Sequence, residues 1–372
     1  MSRSSDIIVI GAGIVGCAVA YELARRGASV EVVDERSIGM GATQASAGIL
    51  APYIEAREGS PLFQLTVRSL GLFDEFIERV TTDSGIPVAY RRTGTLHVVA
   101  DDTGWRELRS AAAALTEYGV ATELVDGPAA RLEEPHLAAD IVGGLVITTH
   151  GFVGAVELTR ALATAARRNG AQLVEQSHVK RISQVDGGIV VDTDRGSLDG
   201  DAVVLAAGSW SGAVEIDGVS LRVPVKPVRG QLLYLAWSGA PLRRVLWSPR
   251  CYLVPRDDGA LLVGATQEQA GFDERATVAG VRDLLDAACE LVPHAWSAGF
   301  TGARVGLRPG TVDDLPVIGA SSVVPNLMYA TGHYRNGVLL APLTAKFVAD
   351  ALLDQRIDPA LEALRPARFG DL

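Results

Sequence analysis

The chain has 372 residues, is 48% hydrophobic and 21% charged, and carries a formal net charge of −10. That length exceeds what one compact core usually serves, so two domains are expected. The acidic balance, without any basic block, argues against a nucleic-acid partner, and the three scattered cysteines (Cys17, Cys251, Cys289) are too few for a disulfide framework or a zinc site.

In chain order, the β-branched run at 7–10 ends in glycine, the pattern of a buried parallel strand. Residues 14–26 carry apolar side chains at helical spacing and stop at Gly27, a C-cap residue, and 30–33 reads as a second strand. The apolar run 7–20 lacks a basic leader and falls short of the ~20 residues a membrane span needs, so no membrane segment is expected. A reducing, cytoplasmic setting follows from the cysteine usage. Residues 39–52 are nearly all small, which lets backbone approach something flat and large. Helices are expected at 62–79, 103–118 and 157–169, and a strand at 94–99. Strands are then expected at 173–183, 188–194 and 202–206, and a strand-rich block at 223–237 and 251–266 with a turn at Asp257-Asp258-Gly259. A helix at 278–291, a strand at 327–331 and a helix over 342–353 complete the reading.

Gly11-Ala12-Gly13-Ile14-Val15-Gly16 lies between the first strand and the first helix, with Asp34 at the end of the next strand. In that context the glycines bind a dinucleotide: Gly11 permits the turn, Gly13 admits a pyrophosphate, and Gly16 lets helix and sheet pack closely. Asp34 is placed to accept hydrogen bonds from ribose hydroxyls. The loop by itself allows NAD as readily as FAD. Three other features favour the flavin: the small-residue stretch, a second strand ending in Ala207-Gly208-Ser209-Trp210, and Gly332-His333-Tyr334-Arg335-Asn336-Gly337 ahead of the last helix. Cys17, near a helix start, has either a lowered thiol pKa or a packing role, with packing favoured. The histidines sit singly, with no metal-ligand spacing, so no metal is expected.

Together with Ala47-Gly48-Ile49-Leu50-Ala51-Pro52, Pro227-Val228-Arg229-Gly230-Gln231, Cys251-Tyr252-Leu253-Val254-Pro255-Arg256, Val263-Gly264-Ala265-Thr266 and Gly306-Leu307-Arg308-Pro309-Gly310-Thr311, these segments resemble the FAD-dependent D-amino-acid oxidase family, and within it the glycine oxidases of thiamin biosynthesis. The resemblance covers essentially the whole chain. It implies an α/β fold in which a Rossmann-like FAD-binding domain (1–85, 145–220, 300–372) is intertwined with a strand-rich α+β substrate domain (86–144, 221–299). It also implies FAD contacts at Gly11, Gly13, Ile14, Val15, Gly16, Asp34, Glu35, Ala42, Thr43, Ala47, Gly48, Ile49, Val179, His333, Tyr334, Arg335, Asn336, Gly337, Val338 and Leu339. Arg308 matches the arginine that binds the substrate carboxylate, Tyr252 the pocket tyrosine that assists it, and Arg335 a second arginine near the substrate.

Oxidising an amine α to a carboxylate needs a hydride acceptor, a grip on the carboxylate and a neutral amine. FAD supplies the first and Arg308 the second, through two parallel hydrogen bonds. No cysteine lies near Arg308, so the FAD is expected to be non-covalent. The expected reaction converts glycine, sarcosine or a small D-amino acid to the 2-oxo acid, with O2 returned as hydrogen peroxide. The alternatives are a dehydrogenase feeding a quinone or partner flavoprotein, and a non-catalytic FAD-binding subunit. A homo-oligomer, a tetramer by family analogy, is expected. Two positions depart from the glycine oxidases: Arg250 stands in place of a histidine and Gln267 in place of a methionine. Both are expected on the pocket side, which leaves the choice of amino acid open.

Overall fold

The computed structural model describes residues 5–55 and 59–372. Two large sheets organise it. The first has nine strands, and its centre is parallel: Ser5–Ile10 lies between Val30–Val33 and Gly196–Leu205, with Leu327–Thr331 and Gln172–Val174 on the flanks. Ile8, Val9, Val32, Val203 and Val204 are almost inaccessible, as both faces of a parallel sheet must be. Helix Ile14–Arg25 lies on one face beside Ala155–Arg168 and Gly337–Leu353, and their small and aliphatic side chains form one continuous core with Val9, Val32 and Val204. The Arg26 guanidinium ties the N-terminal helix to the C-terminal one, bonding Glu22 at 2.8 Å and Asp350 at 2.8 Å.

The second sheet has eight strands in the order Gly299–Gly310, Lys226–Ala236, Ala260–Gly264, Tyr252–Pro255, Val245–Trp247, Thr95–Val99, Gly143–Ile147 and Thr122–Asp126. It is antiparallel apart from the pairing of Val245–Trp247 with Thr95–Val99. A three-stranded sheet of Ile49–Leu50, Gly151–Val153 and Tyr90–Arg91 stands apart from both. The chain thus crosses between the large sheets several times. Strand Gly299–Gly310 belongs to the second sheet, so the boundary expected at 300 falls at its first residues, and that expected at 145 falls inside Gly143–Ile147.

Three expected elements differ. The helix expected over 62–79 is two helices, Pro61–Leu70 and Phe73–Ser84, interrupted at Gly71-Leu72. Leu62, Phe63 and Leu65 pack into one core cluster and Leu70, Phe73, Phe76, Ile77 and Val80 into another, so the break lies close to where the chain passes between them. The strand expected over 173–183 breaks into Gln172–Val174 and Val179–Val185 around Gln176, whose φ is +57°. The last helix begins at Gly337 rather than 342. Pro342 therefore lies inside the helix, where it has no N–H to offer the Val338 carbonyl one turn earlier.

All three cysteines are unpaired, and Cys17 and Cys251 are buried. Burial pushes the Cys17 thiol up, so the packing role holds and a reactive thiol is not formed at this helix start. Iodoacetamide is therefore expected to label Cys289 first, with Cys17 and Cys251 labelled only in denaturant. Peptide mass mapping checks this, and early labelling of Cys17 would contradict the packing.

Candidate active site

The strand-to-helix turn at Gly11–Gly16 is built by close backbone contact. Gly11 has a φ of +108°, and a Cβ placed on Gly16 would lie 1.8 Å from the Gly11 carbonyl oxygen. Helix Ile14–Arg25 has no side-chain cap at Gly13 and no acid in its first turn. Its positive end therefore opens onto a cleft. The Ile14 N–H donates to Thr43 Oγ1 at 3.1 Å, which fixes the 42–45 turn against the loop.

Asp34, from which a ribose contact is expected, fastens the loop itself. Its two carboxylate oxygens accept from the N–H groups of Ala12 at 2.6 Å and Arg36 at 2.7 Å, tying the glycine loop to the second strand. Burial pushes this carboxyl up, against the two backbone donors that pull it down. Its neighbour Glu35 is exposed, with Oε2 3.3 Å from His178 Nδ1. The break at 175–178 brings Ser177, His178 and Val179 to the same end of the cleft. Arg36, which the sequence did not single out, stacks 4.3 Å from the Trp210 ring centroid and pairs with Glu274 at 2.8 Å.

The same cleft is bordered by two further segments. Ala42, Thr43, Ala47, Gly48 and Ile49 line it, as do Gly208, Ser209 and Trp210. Gly48 has a φ of +70°, and a Cβ there would lie 1.8 Å from the Val153 carbonyl oxygen, so the small-residue stretch packs flat on strand Gly151–Val153. The far end is closed by His333–Val338 ahead of the last helix, which also starts without a side-chain cap or an early acid. The His333 ring bonds Thr344 Oγ1 at 3.0 Å, and burial pushes its pKa down to about 3. It is a neutral structural residue rather than an acid–base group. Leu339 lies outside the cleft, its carbonyl accepting from Ser69 Oγ at 2.6 Å.

Tyr252, Arg308 and Arg335 converge at this far end, together with a residue the sequence reading missed, Glu55. Arg308 pairs in register with Val228, and its side chain crosses the neighbouring strand over Gly230. Its Nη1 donates to the Thr266 carbonyl at 2.9 Å and the Arg229 carbonyl at 3.4 Å. Two glycines make the room. A Cβ on Gly230 would lie 2.3 to 2.4 Å from the Arg308 guanidinium, and one on Gly264 would lie 2.3 Å from the Tyr252 ring and hydroxyl. Burial pushes the Tyr252 hydroxyl up, against Arg308, so it stays protonated and able to donate. Glu55 pairs with Arg335 at 2.9 Å, and burial pushes its carboxyl up against Arg335 and Arg308. No motif marks Glu55. It ends the short helix Pro52–Glu55, which is held by Tyr53 stacked on His150, with ring centroids 5.2 Å apart.

Two expected pocket residues are elsewhere. Arg250 projects to Glu290 on the helix Val278–Leu291, and neither it nor Gln267 lines the cleft. Among the described residues no group of three His, Cys, Asp or Glu side chains converges as a metal site, and no helix is long and apolar enough to cross a membrane.

The cleft fits an extended FAD. It joins a dinucleotide loop to a second uncapped helix start, has small residues along its length, and ends at a pocket with paired arginines. Residues 6–351 match the family model DAO, described as FAD dependent oxidoreductase. The bifunctional protein ThiO/ThiG of Synechocystis sp. is 36% identical over 376 residues, covering 99% of this chain and 55% of that protein. The chain thus spans about half the length of that relative. The glycine oxidase of Geobacillus kaustophilus is 34% identical over 362 residues, covering 94% of this chain and 93% of that protein. The crystal structure of a glycine oxidase from Geobacillus kaustophilus superposes with a TM-score of 0.94 at 32% identity, covering 99% of each chain.

Proposed function

Because the chain belongs to the DAO family of FAD-dependent oxidoreductases, we propose that it oxidatively deaminates glycine, sarcosine or a small D-amino acid, with O2 as the electron acceptor. The observation that carries this reading is Arg308: a guanidinium facing the cleft whose hydrogen bonds go to carbonyls, with no carboxylate in ion-pair contact among the described residues. A charged fork without an ion-pair partner among the described residues suits an incoming carboxylate.

FAD, when bound, supplies the hydride acceptor that no side chain provides. Arg308 takes the substrate carboxylate through two parallel hydrogen bonds, and the Tyr252 hydroxyl donates a third. This fixes the Cα–H direction, so catalysis is chiefly orientation. The neighbouring guanidinium of Arg308 disfavours a positive charge on the amine and so favours its neutral, reactive form. Loss of two electrons and two protons gives the imino acid, which water hydrolyses to the 2-oxo acid and ammonia or an amine, while O2 becomes hydrogen peroxide.

In this reading the first sheet and its helices hold the cofactor, and the eight-stranded sheet forms the substrate half. Tyr252 and Arg308 are its catalytic and substrate-binding residues, with Arg335 beside the substrate. A cytoplasmic setting is supported by the three unpaired thiols. Assembly as a homo-oligomer belongs to the same proposal, and light scattering of the purified protein tests it. For the activity, the purified FAD-bound protein is expected to form one peroxide per imino acid with at least one of glycine, sarcosine or D-alanine. Dye reduction without peroxide would replace the oxidase with a dehydrogenase. Bound FAD with neither response would leave a binding subunit.

A further inference from the structure

The substrate end of the cleft presents two guanidiniums, Arg308 and Arg335, and one carboxylate, Glu55. Both oxygens of Glu55 accept from Arg335, Oε2 from Nε at 2.9 Å and Oε1 from Nη2 at 3.1 Å. A guanidinium N–H cannot accept, so a proton on either oxygen would be set against another donor, and the contact is that of an ionised carboxylate. Arg308 has no such partner. Its Nη1 donates to the uncharged Thr266 and Arg229 carbonyls, and among the described residues no carboxylate is in ion-pair contact with it. Among the described residues this end of the pocket therefore holds one net positive charge, and Arg308 is the guanidinium outside an ion pair.

Glu55 is the inner member of the pair, its side chain 12% exposed against 36% for Arg335. An amine with a single carboxylate meets the free guanidinium of Arg308 and requires nothing more. A second carboxylate on the same molecule would approach a guanidinium that is already neutralised, beside the carboxylate that neutralises it. In a partly dry pocket that repulsion lacks compensation.

We propose that Glu55, by holding Arg335 in an ion pair, restricts the pocket to amines carrying one carboxylate and refuses those with a second anionic group. This rests on the amine-oxidising function proposed above. Glu55 acts here as a specificity determinant: it sets the charge that the substrate must match.

The test uses FAD-bound protein and reads flavin absorbance as carboxylates without an amine are titrated in, so that binding is measured apart from turnover. Acetate and methoxyacetate are the single-charge probes, and malonate and oxydiacetate are the double-charge probes. The wild type is expected to bind the single-charge probes at least about tenfold more tightly, and Glu55→Gln is expected to move that ratio at least about tenfold towards the dianions. The double variant Glu55→Gln/Arg335→Gln restores one net charge, and with it the preference for monoanions. A gain that came from space alone would persist in the double variant, which overturns the proposal. So does an unchanged ratio in Glu55→Gln, or a wild type that binds both classes equally. Should Glu55→Gln lose its FAD, Arg335→Gln serves instead: it leaves no net charge, so both classes are expected to weaken at least about tenfold, and undiminished binding overturns the proposal. Turnover of sarcosine against iminodiacetate is measured in parallel. If no amine reduces the flavin, the proposed reaction fails while the titrations still decide the role of Glu55.

Discussion

Replacing Arg308 with alanine is expected to lower kcat/KM for the preferred amino acid by roughly 10²–10³-fold, mostly through KM, with FAD still bound. Truncating one side of a charge-assisted pair typically costs about 2–5 kcal/mol, and each 1.4 kcal/mol is tenfold. The cofactor survives because the Arg308 backbone stays paired with Val228, and the glycine loop and the 42–49 wall are untouched. Arg308→Lys is expected to recover only part of the loss, since an ammonium is a point charge without the planar fork. Steady-state kinetics beside the flavin spectrum reads both effects. An unchanged KM in the alanine variant, with flavin retained, would remove Arg308 from the carboxylate grip.

The second large effect is expected from a residue that touches no substrate. A Cβ at Gly230 would lie within 2.4 Å of three atoms of the Arg308 guanidinium. Gly230 does not have a positive φ, so the backbone accepts alanine there without strain. What yields is the flexible end of Arg308, which moves off the Thr266 carbonyl. Gly230→Ala is therefore expected to reproduce the KM defect of Arg308→Ala to within about tenfold while the thermal midpoint falls by only a few degrees. A variant with normal KM would show that the guanidinium has another productive position. One that cannot hold FAD would show that Gly230 supports the fold rather than the arginine.

The dinucleotide half was legible because its signals are local. A β-branched strand, three spaced glycines and a periodic helix follow one another within thirty residues, and the helix expected at 14–26 is found at Ile14–Arg25. Where expectation and structure part, the deciding contact is distant in sequence. The break at Gly71-Leu72 lies close to where the chain passes between two core clusters that the helical period cannot distinguish. At the site, Arg308 and Tyr252 stand in motifs shared with a family, and a resemblance finds them. Glu55 belongs to the pocket only through Arg335, 280 residues away, and nothing around it in the chain announces that meeting. Arg250 shows the converse: its place two residues before Tyr252 suggested the pocket, but the strand starts at Tyr252 and the arginine turns outward to Glu290.

The parallel centre of the first sheet sets Ile8 beside Val203, and Val203 beside Leu327, while the last helix packs on the first. A ribosome delivers the Gly11 loop early and the His333–Val338 wall some tens of seconds later, at about 5–20 residues per second. Until residues 196–205 emerge the first strand has only one of its two neighbours, and until residues 333–338 emerge the nascent cleft lacks its far wall. A fragment that ends before residue 333 lacks one wall of this cleft. The cofactor is held by a site that is completed only when nearly the whole chain has been made.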